Sequence, residues 1–426
     1  MKINLNKTFL VFLPFTQALT VNILFPLKIS EIALLVIIFY YLNKKFATYE
    51  SVWFLNRNKL LFLFVLIVTL SFILNIWWYY DYFPKKIPFR INRVGDSFIR
   101  LCYFYLCICA FFVSFKIFSK DISYLKYWLY GAVIAALYGW YIFLSSAIKL
   151  PYLKLPGMEE EPQNLYGIIR CGTFKEGNFF GLFLVLSSSI AFYLRKTKTA
   201  FLLLISVAIT MSTISIISSM ILLMFYYRKK FLSLRFLVLL LPILLISLFI
   251  FSKTDFYKVN VYGKLFDPVK KVTDKNYSKI ERTITASAAY YMGISNPFFG
   301  VGPANYGVHY DRFNYYKKIV KERQDYLDKR MLRKNERAIP NNVYLEIWSE
   351  YGIFGLFVFF AFLISILITS FKMKEDAITA GILSLIISMN AFPSFIMFFI
   401  WVFLSIPIVL KWKKMNFEDK LLDKPE

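Results

Sequence analysis

Two stretches of this chain carry residue types and spacings suited to chemistry: Glu346 and Glu350, and the run NPFFGVGPANYG at 296–307. Carboxylates four apart share one face of a helix, where one of them can take a proton from a hydroxyl as a general base. The helix dipole alone also favours carboxylates near an N-terminus. Glycine runs cradle phosphates when they follow a β-strand and open a helix in a soluble βαβ unit. No such unit is predicted here, and Asn296-Pro297 and Gly302-Pro303 are turn formers. The residues for metal chemistry are few: His309 is the only histidine, and neither external loop carries a D-x-D pair, so no metal and no cofactor are expected. Cys102, Cys107 and Cys109 fall inside an apolar run as small hydrophobic packers, and Cys171 stands alone, so neither a zinc site nor a structural disulfide is indicated.

The elements that position these residues belong to a membrane. Of 426 residues 58% are hydrophobic and only 18% charged, and apolar runs long enough to cross a bilayer recur from end to end. Spans are predicted near 8–26, 28–43, 60–79, 98–118, 127–149, 179–194, 200–212, 214–227, 233–252, 352–371, 377–393 and 394–411. The N-terminus has a basic start and an apolar run but no small-x-small cleavage site, which reads as an uncleaved first helix. Residues 200–212 and 214–227 read as two short helices meeting at the polar corner TMSTIS. The expected fold is an all-α membrane protein of about twelve transmembrane helices with one large extracytoplasmic loop. Residues 1–252 hold helices 1–9, 253–351 the loop, 352–412 helices 10–12, and 413–426 a cytoplasmic tail.

A formal charge of +25 could signal nucleic acid, but in a membrane protein Lys and Arg collect in cytoplasmic loops and fix orientation. The clusters at 43–45, 57–59, 195–198, 226–230, 372–374 and 411–414 fall on one side if both termini are cytoplasmic, with DYFPKKIPFRINR (81–93) the exception. Two polar segments then lie outside: 150–178, with its acidic MEEEP, and 253–351, a loop far longer than ordinary connections and of the kind that carries function. Within it, 311–339 sets Tyr316, Ile319, Val320, Tyr326, Leu327 and Met331 at near-helical spacing among Lys and Arg, as in a basic amphipathic helix at a membrane surface or packed on its own loop.

Three ordered motifs resemble the superfamily of O-antigen ligases and O-antigen polymerases, integral membrane glycosyltransferases. Arg282, Asn296, Pro297, Gly300, Gly302 and Asn305 match an Arg followed by NPxxGxGxxN. Asn342, Tyr344, Leu345, Glu350, Gly352 and Gly355 match an N-x-Y-L…E-x-G-x-x-G segment. RCGTFKEGN (170–178) is similar to R-x-x-G-T-F-x-x-x-N at a helix start. The resemblance spans about residues 165 to 370. It departs at two points: Pro340-Asn341-Asn342 stands where ligases carry a His, and Thr213 stands where a T-x-S-R corner would have its Arg.

The resemblance implies a GT-C-like fold and a sugar chain linked through pyrophosphate to a polyprenol, processed at the outer face of the cell inner (cytoplasmic) membrane without a cofactor. Arginine suits the pyrophosphate, because its guanidinium stays charged and presents paired donors. Arg282 is the expected catalytic cation, with Glu346 and Glu350 as carboxylates for the acceptor hydroxyl. Arg170, Asn178, Gly300, Gly302, Asn305, Asn342 and Tyr344 are the expected substrate-binding positions. The expected partners are the lipid-linked glycan, membrane lipids and a chain-length regulator, with no nucleic acid. The absent His favours a polymerase over a ligase. A non-enzymatic polyprenyl-glycan transporter is the third reading, against which stand the lack of an internal repeat and the concentration of charge outside the spans.

The charge pattern makes one direct prediction. A cysteine replacing Asp325 should react with an impermeant reagent in intact cells whose outer barrier is opened. Reaction only after lysis would invert the topology.

Overall fold

The computed structural model describes residues 4–22, 26–43, 48–76, 92–158, 162–165, 167–231, 249, 252–253, 277–313 and 338–422. The chain is mostly helical, its only sheets being two small antiparallel hairpins among the described residues. In order these are α1 (Leu5–Val11), β1 (Thr20–Asn22), β2 (Pro26–Lys28), α2 (Ile29–Asn43), α3 (Tyr49–Arg57), α4 (Lys59–Ile76), α5 (Arg93–Lys120) and α6 (Leu125–Ala147). There follow β3 (Asn164–Leu165), β4 (Ile168–Ile169), α7 (Gly177–Tyr193), α8 (Thr197–Val207) and α9 (Thr213–Tyr226). The last are α10 (Tyr277–Ser295), α11 (Tyr306–Phe313), α12 (Val343–Lys372), α13 (Asp376–Ser388) and α14 (Phe398–Leu422). Among the described residues, four stretches are long and apolar enough to cross a membrane: Lys59–Ile76, Arg93–Lys120, Ile122–Ala147 and Val343–Lys372. Shorter apolar helices add Ile29–Leu42, Gly177–Tyr193, Thr197–Thr210, Thr213–Tyr226 and Asp376–Ala391. The span expected at 233–252 and nearly all of the amphipathic helix expected at 311–339 lie outside the described residues.

The chain divides into two compact units. The first comprises residues 1–66, 102–226 and 357–426, the second 67–101 and 227–356. The first is built on apolar and aromatic packing, with Trp128 stacked on Phe183 at 5.5 Å and its indole N–H donated to Ser187 at 2.7 Å. The TMSTIS corner forms as expected: α8 tightens into a 3-10 turn at Ala208–Thr210, Met211 turns left-handed (φ 49°), and α9 begins at Thr213.

The first expected span is corrected. In place of a helix over 8–26 the structure has α1 ending at Val11, then irregular chain, then β1. Pro14 explains the stop, since proline lacks an N–H and its ring clashes with the carbonyl four residues back. The freed backbone pairs with residues 156–173: Thr173 Oγ1 donates to Pro14 O at 2.6 Å, Gln17 N to Thr173 O at 3.0 Å, and Leu19 N to Pro156 O at 2.7 Å.

In the second unit, the decisive feature is a break inside α12. Gly352 has φ 68° and ψ −164°, outside any helical geometry, in a region that only glycine adopts readily. Residues 353–372 beyond the break are long enough to cross a hydrocarbon core of about 30 Å at 1.5 Å per residue. Residues 343–351 before it form a separate half-helix carrying Glu346 and Glu350.

A break in an apolar helix leaves backbone groups that must find partners, and the 296–305 turn supplies them. Val301 N donates to Ser349 O at 3.0 Å, Gly302 N to Glu350 O at 2.9 Å, and Ile353 N to Pro297 O at 2.7 Å. The chains approach so closely that a Cβ at Gly352 would sit 2.4 Å from the Phe298 carbonyl carbon, and one at Gly300 (φ 63°) would sit 2.3 Å from that of Glu350.

Gly352→Ala and Gly300→Ala should therefore each destabilise the second unit beyond the 1–3 kcal/mol typical of a strained residue, because backbone must also move. Lower yield and melting temperature in detergent would register it. Gly307→Ala, a helical position in α11, should cost little by comparison.

Candidate active site

Four elements converge on the half-helix. Ser71 of α4 lies 2.8 Å from Glu350 O and 2.6 Å from Phe299 O, one hydroxyl serving both the turn and the break. One helical turn on, Asn75 donates to Ser71 O at 2.8 Å and Gly300 O at 3.3 Å. From α5, Ser97 donates to Pro303 O at 2.6 Å, and Arg93 reaches Asn75 O with both terminal nitrogens at 3.4 Å. A small cavity remains, lined by Asn75, Arg93, Ser97 and Asn305 among others. Asn305 begins α11: its carbonyl accepts from Val308 and His309 and its Nδ2 donates to Val301 O at 2.8 Å. Its Oδ1 is buried without a hydrogen-bond partner among the described residues.

Glu346 and Glu350 are both 3% exposed, a burial that carboxylates tolerate only when compensated. Arg100, two helical turns along α5 from Arg93 and itself partly exposed, forms an ion pair with the buried Glu346 and is close enough to act on Glu350 as well. Glu350 Oε1 accepts a long bond from Tyr306 N at 3.5 Å, and Tyr351 lies beside the same carboxylate. One guanidinium therefore faces two carboxylates. Breaking such a pair would leave a charge buried and uncompensated.

Arg282 lies on the exposed face of α10; its carbonyl accepts from Thr285 Oγ1 at 3.3 Å, while its guanidinium enters none of the ion pairs among the described residues. The opposite face of α10 buries Ile284, Ala288 and Met292 in a cluster with Val301, Tyr306 and Tyr310, and Tyr306 OH donates to Thr285 O at 2.7 Å. Gly293 brings α10 against α12, where Trp348 Nε1 donates to Tyr290 O at 3.1 Å. The small residues of ERTITASAAYYMGIS thus serve close packing, as their size predicts.

The other motif residues do structural tasks. Asn342 caps α12, its Oδ1 accepting from Tyr344 N at 2.9 Å and Leu345 N at 3.1 Å. Gly300 and Gly302 (φ 91°) shape the turn. Arg170 and Asn178 belong to the first unit. Arg170 donates to Gln163 Oε1 at 2.9 Å and to the carbonyls of Thr210 and Met211 at 3.2 and 3.4 Å, pinning the α8–α9 corner. Asn178 accepts from Ser212 at 2.8 Å.

Sequence reasoning missed Ser71, Asn75, Arg93, Ser97 and Arg100. Their one signal was a repeat of polar residues at helical spacing along the C-terminal part of α4 and the N-terminal part of α5, including an arginine inside an apolar run, where such residues are expensive.

A family model described as O-antigen ligase matches residues 183–360. No curated protein matches the chain.

His309 offers a pH test of this region. Burial first, then the positive charges of Arg93 and Arg312, push its imidazole down to about 4. The unfolded chain binds that proton near pH 6.5, so the contribution to stability is whole above 6.5 and declines by up to roughly 3 kcal/mol as pH falls towards 4. Thermal unfolding at pH 7.5 and 5 should show the decline in the native chain and a flatter profile in His309→Gln.

Proposed function

We propose, from the match of residues 183–360 to the O-antigen ligase family model, that the chain polymerises lipid-linked oligosaccharide units. The growing glycan passes from its polyprenyl pyrophosphate to a hydroxyl of an incoming lipid-linked unit. The observation that carries this reading is the buried pair Glu346 and Glu350, held by Arg100 on the half-helix before the Gly352 break.

In the transfer, the acceptor oxygen bonds to the anomeric carbon as the carbon–oxygen bond to the pyrophosphate breaks, and the electron pair leaves with the phosphate. The acceptor proton passes to Glu350, whose Oε2 is buried without a hydrogen-bond partner among the described residues. Arg100 compensates Glu346 and so keeps the pair from carrying two uncompensated charges. Arg282, exposed and unengaged, offers its planar fork to the leaving pyrophosphate. Arg170 suits that task less, since its nitrogens already serve Gln163 and two carbonyls. No metal enters this scheme.

The family description favours a second reading, a ligase that moves the finished glycan to a lipid anchor. Pro340-Asn341-Asn342, in the place of the ligase His, argues for polymerisation. The surface-glycan ladder of a deletion strain separates them: single units on the anchor mean a polymerase, and a bare anchor with long chains left on the carrier means a ligase.

Arg282→Ala should reduce polymer yield about 10²–10³-fold, the usual cost of one preorganised donor. Arg282→Lys should fail nearly as badly for want of the fork, both read as chain length and yield at matched protein level. A near-normal ladder from Arg282→Ala would remove the arginine from the reaction.

A further inference from the structure

In the second unit, α10 carries an outward row whose chemistry changes along its length. Arg282, Ala286, Tyr290 and Ile294 follow one another at four-residue spacing, the inclined ridge that such spacing makes on a helix. Arg282 is exposed and Ala286 half-buried, and Tyr290 and Ile294 are both exposed. The opposite face of the helix is the one packed with Tyr306 and Tyr310. Past the end of α10 the row continues into exposed Phe298, whose ring stacks on exposed Phe354 at 5.7 Å.

Three contacts orient this row. Thr285 Oγ1 donates to Pro340 O at 3.4 Å, Trp348 Nε1 donates to Tyr290 O at 3.1 Å, and Phe298 meets Phe354. They occur in the same order along both chains, so α10 runs parallel to the half-helix of α12 and both head for the Gly352 break. Phe354 lies beyond that break, in a helix long and apolar enough to cross a membrane. The apolar end of the row therefore adjoins a span. Arg282 stands at the far end, about 18 Å from Ile294 along α10 at 1.5 Å per residue.

Resting on the lipid-linked substrate of the preceding section, we propose that this row binds the polyprenyl chain of the carrier. Tyr290, Ile294, Phe298 and Phe354 cover the isoprene units nearest the pyrophosphate, and Arg282 meets the pyrophosphate itself. A carrier whose headgroup reaches Arg282 has the first part of its tail drawn away from the span. Apolar groups lifted out of hydrocarbon lose their burial, and exposed aromatic and aliphatic side chains restore it. The cation at the end of the row says which amphiphile fits: one whose apolar chain ends in phosphate, the group a guanidinium holds through paired donors.

The test uses the full chain in phosphatidylcholine nanodiscs, titrated calorimetrically with a long-chain polyprenyl pyrophosphate, geranyl pyrophosphate and inorganic pyrophosphate. Affinity should rise in the order inorganic, geranyl, long-chain. I294S/F298S, at two exposed positions, should weaken the long-chain ligand about tenfold or more, from the apolar contact removed, and leave inorganic pyrophosphate unchanged. Arg282→Ala should weaken all three. An unchanged long-chain affinity in the double variant would overturn the tail site, as would an equal loss for inorganic pyrophosphate. Equal affinities for the long and short chains would assign the face to bulk lipid and end the proposal. So would a dimer that the double variant separates, since the face would then join two copies of the chain. Should the double variant not be recovered, Ile294→Ser alone should weaken long-chain binding severalfold, and no change there would count equally against the site. Polymerisation stands or falls separately: a chain that binds the long carrier through this row yet leaves the glycan ladder of its deletion strain polymerised overturns the polymerase reading and keeps the tail site.

Discussion

The second unit depends on how a broken helix satisfies its backbone. When α12 departs from helical geometry at Gly352, the carbonyls of Ser349 and Glu350 and the N–H of Ile353 lose their partners within the helix. In an apolar setting each such group costs several kcal/mol if it stays unpaired. The 296–305 turn meets all three, and Ser71 adds a hydroxyl beside Glu350 O. Two glycines, one on each chain, are the condition for the approach, because a side chain on either would enter the other's backbone. The glycine-rich run is therefore the complement of a break some fifty residues later, and the carboxylates hold their positions because the break is repaired.

Charge follows from that geometry. A half-helix docked this tightly keeps Glu346 and Glu350 out of water, and buried carboxylates need a cation or a proton. Arg100 supplies the cation from α5, whose N-terminal part also delivers Ser97 to the turn and Arg93 to Asn75. One helix thus fixes the turn through a hydroxyl and the carboxylates through a guanidinium. The two functions are seven residues or fewer apart on the same helical face, so a displacement of α5 would disturb backbone repair and charge compensation together.

Much of this was legible in the sequence. Hydropathy located α2, α4–α9 and α13 to within a few residues, because long apolar runs leave little alternative. The motif spacing located the turn, α10 and the carboxylates. The N-terminal segment was misread because hydropathy outweighed Pro14, whose lost N–H ends α1 and sends the chain along residues 156–173. The break at Gly352 was invisible, since a glycine at the start of an apolar run reads equally as the beginning of a span. Ser71, Asn75, Ser97 and Arg100 were hidden for a related reason: single polar residues within apolar helices leave the periodicity intact, and their partners lie two hundred or more residues away in sequence.

The roles within the motifs divide by chemistry. Asn342, Gly300, Gly302 and Gly352 cap, turn and break the chain, tasks set by backbone geometry, and glycine or a short amide is among the few residues that can perform each. Arg282 stands apart: it is exposed, on a helix whose opposite face is locked into a hydrophobic cluster, and its guanidinium enters no ion pair among the described residues. Arg170 shows the contrasting case, an arginine whose donors are consumed in holding a helix corner. Identical side chains in neighbouring motifs can thus serve the fold or remain open to a ligand, and the difference lies in whether the fan of guanidinium donors already meets carbonyls.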